Sequence, residues 1–395
     1  MEAHISRTTS FPSYLHQIAA TPEKCAATAD WFAEHGPGLL ADEPAAVDGD
    51  DKVYVSYLPL GTILGIMPWN FPLWQATRAS VPIMLSGNGF ILKLASNTMG
   101  SAYLLRDAWE VAGLPKGLFA ILNVESGKIP AVLEDRRVAG VTLTGSMRAG
   151  ASIASQAGKL IKKSLLELGG ADPFIVLADA DIDQAVEAGI RARFNNAGQV
   201  CLAAKRFILE APIAERFTTR FVEAAREIKV GDPLDAATTM GPMARVDLRD
   251  EAHEQVTKSV AAGATLLLGG KMIDGPGAFY EPTVLSNVMP GMAAFDEEIF
   301  APVAALTEAR DIEHAIELAN SNDYGLSGNL WTADVDRAQA IARRLETGGV
   351  FINGFTASNA RIPVGGVKNS GYGRELSHFG IREFTNAQAV WVKRV

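Results

Sequence analysis

Short apolar runs alternate with longer stretches of helical period in the first half of the chain, from about Val53 onward. The apolar runs predict strands at Thr62 to Met67, Gly89 to Leu94, Phe119 to Val124, Gly140 to Thr144 and Ser164 to Leu168. The stretches between them predict helices at Leu73 to Leu85, Met99 to Ala112 and Ala149 to Lys162. This alternation is typical of parallel strands joined by crossover helices, so we predict a doubly wound nucleotide-binding unit.

A second series with the same alternation follows Gly169 and Gly170. Its predicted strands are Pro173 to Leu177, Arg206 to Glu210, Thr265 to Leu268, Val303 to Leu306, Asn329 to Thr332 and Val350 to Asn353. Its predicted helices are Ile182 to Phe194, Ile213 to Lys229, Leu248 to Ala262, Ile312 to Asn320 and Val335 to Leu345. Because paired glycines permit a sharp turn where a Cβ would clash, we predict the domain boundary at Gly169-Gly170.

Two further stretches, Lys52 to Leu58 and the tail Gln388 to Val395, have the pattern of edge strands outside both units. Exposed strand edges invite pairing with another chain. The pattern alone fits ordinary edge strands and oligomer-forming strands equally well.

Composition and charge exclude several classes of function. A net charge of -9 and a pI near 5.3 argue against a nucleic-acid partner. No uncharged apolar run approaches the roughly 20 residues of a membrane-spanning helix, and Met1 to Leu15 lacks the pattern of a signal peptide. The six histidines do not fall at metal-ligand spacing, so no metal is predicted. Two cysteines, Cys25 and Cys201, cannot form a disulfide framework, which favours the cytoplasm.

The candidate nucleophile is Cys201, in the run GQVCLAAKR. A partly ionised thiol attacks an aldehyde carbon readily. Asn70, in the run PWNFP, and the backbone N–H of Cys201 are candidate donors to the oxyanion that such an attack creates. The plain alternatives are a buried structural thiol for Cys201 and a turn-forming residue for Asn70.

Glu167 is the candidate general base for the water that must cleave the resulting thioester. A carboxylate inside the apolar run LLEL breaks the strand pattern, and buried acids are seldom kept without a partner or a task. An ion pair with Lys162 or Lys163 explains Glu167 equally well at this stage.

A hydride acceptor has candidate binding residues where predicted strands end. Gly145 and Ser146 stand between a strand and a helix, and helix N-termini bind phosphate through their N–H groups. Lys93, at the end of another strand, is a candidate for a ribose or phosphate contact, with a solvated lysine as the alternative.

In combination these residues closely resemble the aldehyde dehydrogenase superfamily, from about Ala27 to the C-terminus. The motifs that carry the resemblance are PWNFP at Asn70, LKLAS at Lys93, LTGS at Gly145 and Ser146, LELGG at Glu167, GQVC at Cys201, EEIFAPV at Glu298 and Phe300, and GGVKNSGYGRE at Gly365 to Glu375. The resemblance implies Cys201 as nucleophile, Glu167 as general base and Asn70 as oxyanion donor. It also implies NAD or NADP as cofactor, bound by Trp69, Lys93, Gly145, Ser146, Glu298 and Phe300.

The implied architecture is an α/β aldehyde dehydrogenase fold, with a Rossmann-like dinucleotide-binding domain, an α/β catalytic domain and a small β oligomerisation arm. We place these at residues 1-40 and 59-168, at 169-369, and at 41-58 and 380-395. Family members usually form homodimers or homotetramers through such an arm.

Within the superfamily, the runs WNFPLWQATR, ELGGADPFIVL, GGVFINGFTAS and RELSHFGIREF look most like bacterial succinate-semialdehyde dehydrogenases. Arg78 matches an arginine that holds the substrate carboxylate in that group, a task that suits a guanidinium. Trp74, Ser358 and Arg361 are further candidates for the substrate pocket.

Several positions depart from the family pattern. A second substrate arginine of some relatives is Asn195 here, Ala301 replaces a usual glycine and Val364 a usual phenylalanine. Ser96 stands where many NAD-preferring members carry an acidic residue that repels a 2'-phosphate, so we predict tolerance of NADP. Relatives also carry a long segment ahead of the part matching Ala27, where this sequence has only Met1 to Ala26.

The sequence therefore predicts NAD(P)-dependent oxidation of a short semialdehyde, such as succinate semialdehyde, through a cysteine thioester. One alternative is a dehydrogenase of neutral aromatic or aliphatic aldehydes, with an apolar pocket of Trp74, Phe194 and Phe355. A second is a non-catalytic short form that only binds nucleotide or partner subunits. Transfer of the acyl group to coenzyme A is disfavoured, because it would not need Glu167 to activate water.

Overall fold

The computed structural model describes residues 14–47 and 51–393, which form two compact units. The first unit comprises Ala20–Glu167, Ser358–Gly365 and the chain from Tyr372 onward. The second unit comprises Leu168–Ala357 and Gly366–Gly371. The chain thus leaves the first unit directly after Glu167. The domain roles assigned from the sequence stay a prediction.

The first unit is built on a parallel sheet with helices between its strands. Its helices are Tyr14–Leu39, which belongs to this unit from Ala20 onward, Pro72–Leu85, Met99–Val111, Ile129–Glu134, Met147–Lys159 and Ser377–Glu383. Across the sheet the strands follow the order Phe119–Ile121, Gly89–Leu94, Thr62–Met67, Val138–Thr144 and Lys163–Glu167, with the short strand Gly371–Tyr372 beyond the last of them. The five longer strands are parallel.

The strand order of this sheet reverses at Thr62–Met67, the first of its parallel strands in the chain. The next two strands lie on one side of it and the last two on the other. This is the strand order of a doubly wound, Rossmann-like sheet, in which ligands bind outside the carboxyl ends of the strands at the reversal. Because Ile66 pairs in register with both Lys93 and Leu143, those carboxyl ends lie at one edge of the sheet.

A separate antiparallel sheet in the first unit contains Glu43–Pro44, Lys52–Pro59 and Thr385–Val392. The two predicted edge strands therefore pair with each other, with Val53 opposite Trp391. The C-terminal strand begins ahead of the predicted Gln388, and Val395 lies outside the described residues.

The second unit is also a mainly parallel sheet covered by helices. Its helices are Ile182–Phe194, Ala211–Arg226, Val246–Ala261, Ala293–Asp296, Ile312–Asn320 and Val335–Ala342. Its sheet has the order Thr265–Leu268, Thr283–Ser286, Val303–Ala309, Arg206–Glu210, Pro173–Val176, Gly328–Trp331 and Val350–Ile352, and only the first pair is antiparallel. Tyr324–Gly325 and Val367–Lys368 form a small additional ladder.

The predicted α/β fold is confirmed, and the differences have local causes. The helix Tyr14–Leu39 was not predicted, because Pro22 and Pro37 interrupt its pattern. The strand Thr283–Ser286, which directly follows Pro282, was not predicted either. Among the described residues, no helix has both the length and the hydropathy needed to cross a bilayer.

Aromatic packing and a buried cation hold the second unit together. Phe207 lies at the centre of the aromatic cluster, with its ring 4.8 Å from that of Phe221 and 5.0 Å from that of Phe174. The neighbouring Arg206 is buried and donates to the carbonyls of Ala171, Leu318 and Ala319 at 2.7, 2.8 and 2.9 Å. Burial lowers the pKa of Arg206 to about 10, so the guanidinium stays charged at neutral pH.

We expect Arg206→Met to lower the free energy of unfolding by about 3 kcal/mol, because three buried carbonyls lose their donor. Urea unfolding followed by tryptophan fluorescence measures this. Arg216→Met, at an exposed position of the same unit, is the control and should change the midpoint little. Equal midpoints for both variants would show that Arg206 does not anchor these carbonyls.

Candidate active site

The first unit collects its predicted site residues at the carboxyl edge of the parallel sheet. The loop after Thr62–Met67 carries Trp69 and Asn70, and Glu167 is the last residue of its strand. Thr144 pairs in register with Glu167, and the backbone N–H of Gly145 donates to the Glu167 carbonyl at 3.0 Å. The parallel topology therefore brings together residues that are far apart in the sequence.

Asn70 is buried at the start of the helix Pro72–Leu85. Gln75 donates from its Nε2 to the Asn70 Oδ1 at 3.2 Å. This hydrogen bond engages the amide oxygen and so orients the side-chain amide. The orientation suits the predicted role, in which the NH2 group donates to an oxyanion.

Arg78 lies on the same helix with its guanidinium among buried polar groups. Its Nε forms an ion pair with Glu375, and its Nη2 lies 3.8 Å from the Glu167 Oε2. The same Nη2 donates to the Thr144 Oγ1 at 3.4 Å. All three charged side chains are nearly inaccessible to solvent. Because a buried charge is costly without a partner, these contacts tie the position of Glu167 to Arg78.

The lysines proposed as alternative partners of Glu167 are engaged elsewhere. Lys162 donates to the carbonyls of Leu133 and Asp135. Lys163 pairs with Glu383 at 3.3 Å. The structure therefore contradicts the alternative that Glu167 is merely the partner of a neighbouring lysine.

Glu375 is a residue to which sequence reasoning assigned no role, although it ends the motif GGVKNSGYGRE. Burial raises the pKa of Glu375, while the Arg78 guanidinium and a hydrogen bond with Thr142 oppose the rise. Its backbone pairs with that of Val364 through two hydrogen bonds of 2.8 and 2.9 Å. A buried acid in an apparently polar loop has no local sequence signal, so only the fold reveals it.

The predicted dinucleotide-binding residues of this unit fit the expected place in the fold. Gly145 and Ser146 follow Val138–Thr144, one of the two strands at the reversal of strand order, and Trp69 follows the other. Ser146 caps the helix Met147–Lys159, accepting from the N–H of Ala149 at 3.4 Å. A helix N-terminus at this position suits a pyrophosphate.

Lys93 and Ser96 lie at the end of the adjacent strand Gly89–Leu94. Burial lowers the pKa of Lys93, whose side chain is half-buried. Ser96 is exposed at the start of a 3-10 helix. The residue three positions after Lys93 is thus an exposed serine and not an acidic residue.

In the second unit the predicted residues gather at the amino ends of three adjacent strands. Cys201 precedes Arg206–Glu210, and Glu298 and Phe300 precede Val303–Ala309. Cys201, Glu298 and Phe300 are each partly accessible. The backbone N–H of Gly170, just ahead of Pro173–Val176, donates to the Glu298 Oε1 at 3.0 Å.

Lys205 connects the cysteine loop with Glu298. Its Nζ donates to the carbonyl of Cys201 at 2.7 Å and to that of Val200 at 3.1 Å. The same Nζ lies 3.4 Å from the Glu298 Oε1. Lys205 lies within the motif GQVCLAAKR, but the sequence alone indicated no role for it. Its contacts hold the backbone of the candidate nucleophile at a defined distance from Glu298.

The turn ahead of Cys201 has an unusual backbone. Asn196, Ala197 and Gly198 have φ angles of 53°, 49° and 75°, in the left-handed region. Such strained conformations persist only where the surroundings hold them, and they concentrate at functional sites. Here the fully buried Arg193 donates to the carbonyls of Gly198 and Ala301 at 2.7 and 2.6 Å.

Gly198 makes a close approach to the backbone at Ala301. A Cβ on Gly198 would stand 2.1 Å from the Ala301 carbonyl oxygen. The absence of a side chain at Gly198 is therefore required by packing within its own unit. Burial lowers the pKa of Arg193 to about 9, opposed by the charge of Glu298.

The candidate substrate residues differ in their surroundings. In the first unit Trp74 and Ser358 both contact Lys24, while Arg361 is exposed. In the second unit Phe194 is part of the hydrophobic core, and Phe355 lies under the guanidinium of Arg191. Phe194 is thus occupied by core packing, which weakens the apolar pocket considered for neutral aldehydes.

A parallel sheet with this order of strands, and a capped helix at its reversal, is the architecture of dinucleotide-binding α/β proteins. The chain also matches the model of the aldehyde dehydrogenase family over residues 12–390. The protein therefore belongs to the aldehyde dehydrogenase family, and the predicted family is confirmed.

Two relatives and one solved structure are similar over most of their length. The chain is 55% identical over 381 residues to the succinate semialdehyde dehydrogenase Sad of Escherichia coli (strain K12), named for NAD(P)+, covering 96% of this chain and 82% of the relative. It is 50% identical over 380 residues to a succinate-semialdehyde dehydrogenase of Mycobacterium avium (strain 104), named for NADP+, covering 96% and 80%. A crystal structure of a Streptococcus pyogenes succinic semialdehyde dehydrogenase with NADP+ matches with a TM-score of 0.96 and 36% identity, covering 100% and 86%.

We expect Gly198→Ala to lower the free energy of unfolding by about 2 to 3 kcal/mol, because the new Cβ meets a backbone carbonyl at a positive φ. Urea unfolding measures the change in free energy. The rate at which iodoacetamide alkylates Cys201 shows whether the turn ahead of it has been displaced. The control is Gly127→Ala, where no atom lies within 4 Å of the added Cβ. An unfolding midpoint equal to that of the control would contradict the steric role of Gly198.

Proposed function

We propose that the protein oxidises succinate semialdehyde, or a similar short semialdehyde, to the carboxylic acid with NAD or NADP. The observation that carries this proposal is the similarity, over nearly the whole chain, to relatives with that printed activity. The geometry within each unit is compatible with it. In the first unit Asn70 and Glu167 occupy buried, oriented positions, and in the second unit Cys201 lies on a strained and tightly held turn.

Cys201 is the proposed nucleophile. Its thiolate attacks the aldehyde carbon, a C–S bond forms, and the π electrons of the carbonyl move to oxygen. The Asn70 side-chain NH2 and the Cys201 backbone N–H are the proposed donors to that oxygen. Preorganised donors of this kind are each worth about 3 to 4 kcal/mol in the transition state.

Bound NAD or NADP would supply the hydride acceptor: as the oxyanion re-forms its C=O bond, the hydride would leave the former aldehyde carbon and a thioester on Cys201 would remain. Glu167 then takes a proton from water, whose oxygen attacks the thioester carbon. The C–S bond breaks, the Cys201 thiolate is regenerated and the acid is released. Arg78 and Glu375 hold the Glu167 carboxylate in place during this step.

The proposed cofactor residues are Trp69, Lys93, Ser96, Gly145, Ser146, Glu298 and Phe300, with Glu298 on the nicotinamide ribose. Ser96 supports tolerance of NADP, because a serine at this exposed position does not repel a 2'-phosphate. Arg78, Trp74 and Ser358 remain the proposed substrate residues, and the Arg78 guanidinium would hold a substrate carboxylate in addition to its contacts with Glu375 and Glu167.

We further propose a homodimer or homotetramer in the cytoplasm. The antiparallel sheet of Lys52–Pro59 and Thr385–Val392 supports the oligomer, because large apolar side chains on this sheet are exposed. Leu58, Trp391 and Val392 are 41%, 59% and 46% accessible. Exposed apolar side chains on an edge sheet favour contact with another chain.

The proposal predicts a kcat/KM for succinate semialdehyde at least ~100-fold above that for butanal, because a charge-assisted contact to the carboxylate tail is available only to the former. The assay follows absorbance of the reduced nicotinamide with NAD and with NADP, and both should support turnover. Cys201→Ser is the control for the covalent route and should remove activity.

Three outcomes would contradict this prediction in different ways. Preference for butanal or benzaldehyde would favour the dehydrogenase of neutral aldehydes. Nucleotide binding without reduction by any aldehyde would favour the non-catalytic short form. Exclusion of NADP would contradict only the inference drawn from Ser96.

We expect Glu167→Gln to leave a rapid burst of one reduced nicotinamide per subunit and to slow steady-state turnover by about 100-fold or more, because only thioester hydrolysis needs the base. Stopped-flow absorbance separates the two phases. Glu125→Gln, at an exposed site of the same unit, is the control. An unchanged steady-state rate would refute the role of Glu167.

A further inference from the structure

Lys24 lies in the first unit together with the proposed substrate residues, although sequence reasoning gave it no role. It belongs to the helix Tyr14–Leu39, which the sequence pattern did not predict. The Lys24 Nζ donates to the Ser358 Oγ at 2.9 Å. It also lies 4.0 Å from the centre of the Trp74 ring. One ammonium group therefore contacts two of the three proposed substrate residues.

The third proposed substrate residue, Arg78, is on the same face of its helix as Trp74, since the two are four positions apart. The charge of Arg78 contributes to the electrostatic environment of Lys24. Trp74, Phe32, Val81 and Ala360 belong to one apolar cluster, which packs the two helices and the Ser358 segment around this position. The place of Lys24 is thus set by the packing of three segments.

The side chains of Arg78 and Lys24 have different partners. The Arg78 guanidinium contacts the carboxylates of Glu375 and Glu167. Within residues 14–47 and 51–393, no carboxylate oxygen lies within the 4.0 Å of an ion pair from the Lys24 Nζ. Its contacts are a hydroxyl and an aromatic face, which leave the charge of the ammonium group without a matching anion among these residues.

We propose that Lys24 binds the carboxylate tail of the semialdehyde directly, with the Ser358 hydroxyl as the adjacent hydrogen-bonding group and the Trp74 ring beside it. This inference rests on the proposed function and assigns a residue to its substrate specificity. A charge-assisted hydrogen bond from a partly desolvated ammonium group discriminates an anionic tail from a methyl group of similar size.

The titration of Lys24 is consistent with this role. The pKa of Lys24 is lowered to about 8, mainly by desolvation and also by the Arg78 charge, while the neighbouring Cys25 opposes the shift. Among the described residues, the Cys25 thiol, whose pKa is raised by burial, and the Arg78 guanidinium are the groups whose charges act on Lys24. Lys24 is charged at neutral pH and loses its proton as the pH rises through about 8, so contact with an anionic tail weakens there.

We expect Lys24→Met to raise the KM for succinate semialdehyde about 10-fold or more, because one charge-assisted hydrogen bond is lost. The KM for butanal should change less than about 2-fold, and kcat for both aldehydes should persist. Lys24→Arg should recover most of the preference. Lys116→Met, which removes an exposed charge from the same unit, is the control for general electrostatic effects.

A second measurement uses the unaltered enzyme and decides the matter if the variant does not fold. The measured quantity is the ratio of kcat/KM for succinate semialdehyde to kcat/KM for butanal. Groups whose titration affects both aldehydes equally do not change this ratio. This ratio should fall about 10-fold as the pH rises from 7 to 9.5, with a midpoint near the Lys24 pKa of about 8. A ratio independent of pH would overturn the assignment.

The outcomes separate this inference from the proposed function. If the enzyme prefers succinate semialdehyde and Lys24→Met keeps that preference, the assignment of Lys24 is wrong and the proposed function stands. If the enzyme prefers neutral aldehydes or turns over none, both are wrong. Equal loss for both aldehydes in Lys24→Met would indicate a structural role and would also overturn the assignment.

Discussion

The buried ion pairs of Arg78 are the interaction on which the chemistry of the first unit depends. One guanidinium serves Glu375 and Glu167, and all three side chains are almost fully removed from solvent. Removing one member of such a group leaves an uncompensated charge in the interior, which costs far more than the pair contributes. The orientation of the proposed general base is therefore coupled to the packing of the helix Pro72–Leu85 and of the segment that carries Glu375.

The parallel sheet explains why polar side chains distant in sequence can serve one reaction. Asn70, Lys93, Gly145 and Glu167 each stand at the carboxyl end of a strand, and the in-register pairing brings those ends to one edge. In the second unit the equivalent convergence occurs at the amino ends, where Cys201 and Glu298 precede adjacent strands. In each unit, strand order decides which loops become neighbours.

Backbone strain and buried cations work together around the cysteine. The left-handed turn before Cys201 is held by Arg193 from one side, and the carbonyl of Cys201 itself is held by Lys205. Both cations donate mainly to carbonyl oxygens, so they order the backbone. A loop that is ordered before substrate arrives loses less entropy during the reaction, which is the physical benefit of such a rigid turn.

The amino-acid sequence by itself determined most of the strands and helices, the α/β class and the family, because period-2 and period-3.6 patterns and short motifs are local properties of the chain. It also indicated Cys201, Glu167 and Asn70 as candidates, since each stands in a motif or interrupts an apolar pattern. It did not reveal the helix Tyr14–Leu39, whose prolines obscure the pattern, nor the contacts of Lys24, Arg193, Lys205 and Glu375. Those contacts join residues up to 334 positions apart, as Lys24 and Ser358 are, and only the tertiary structure brings such residues within hydrogen-bonding distance.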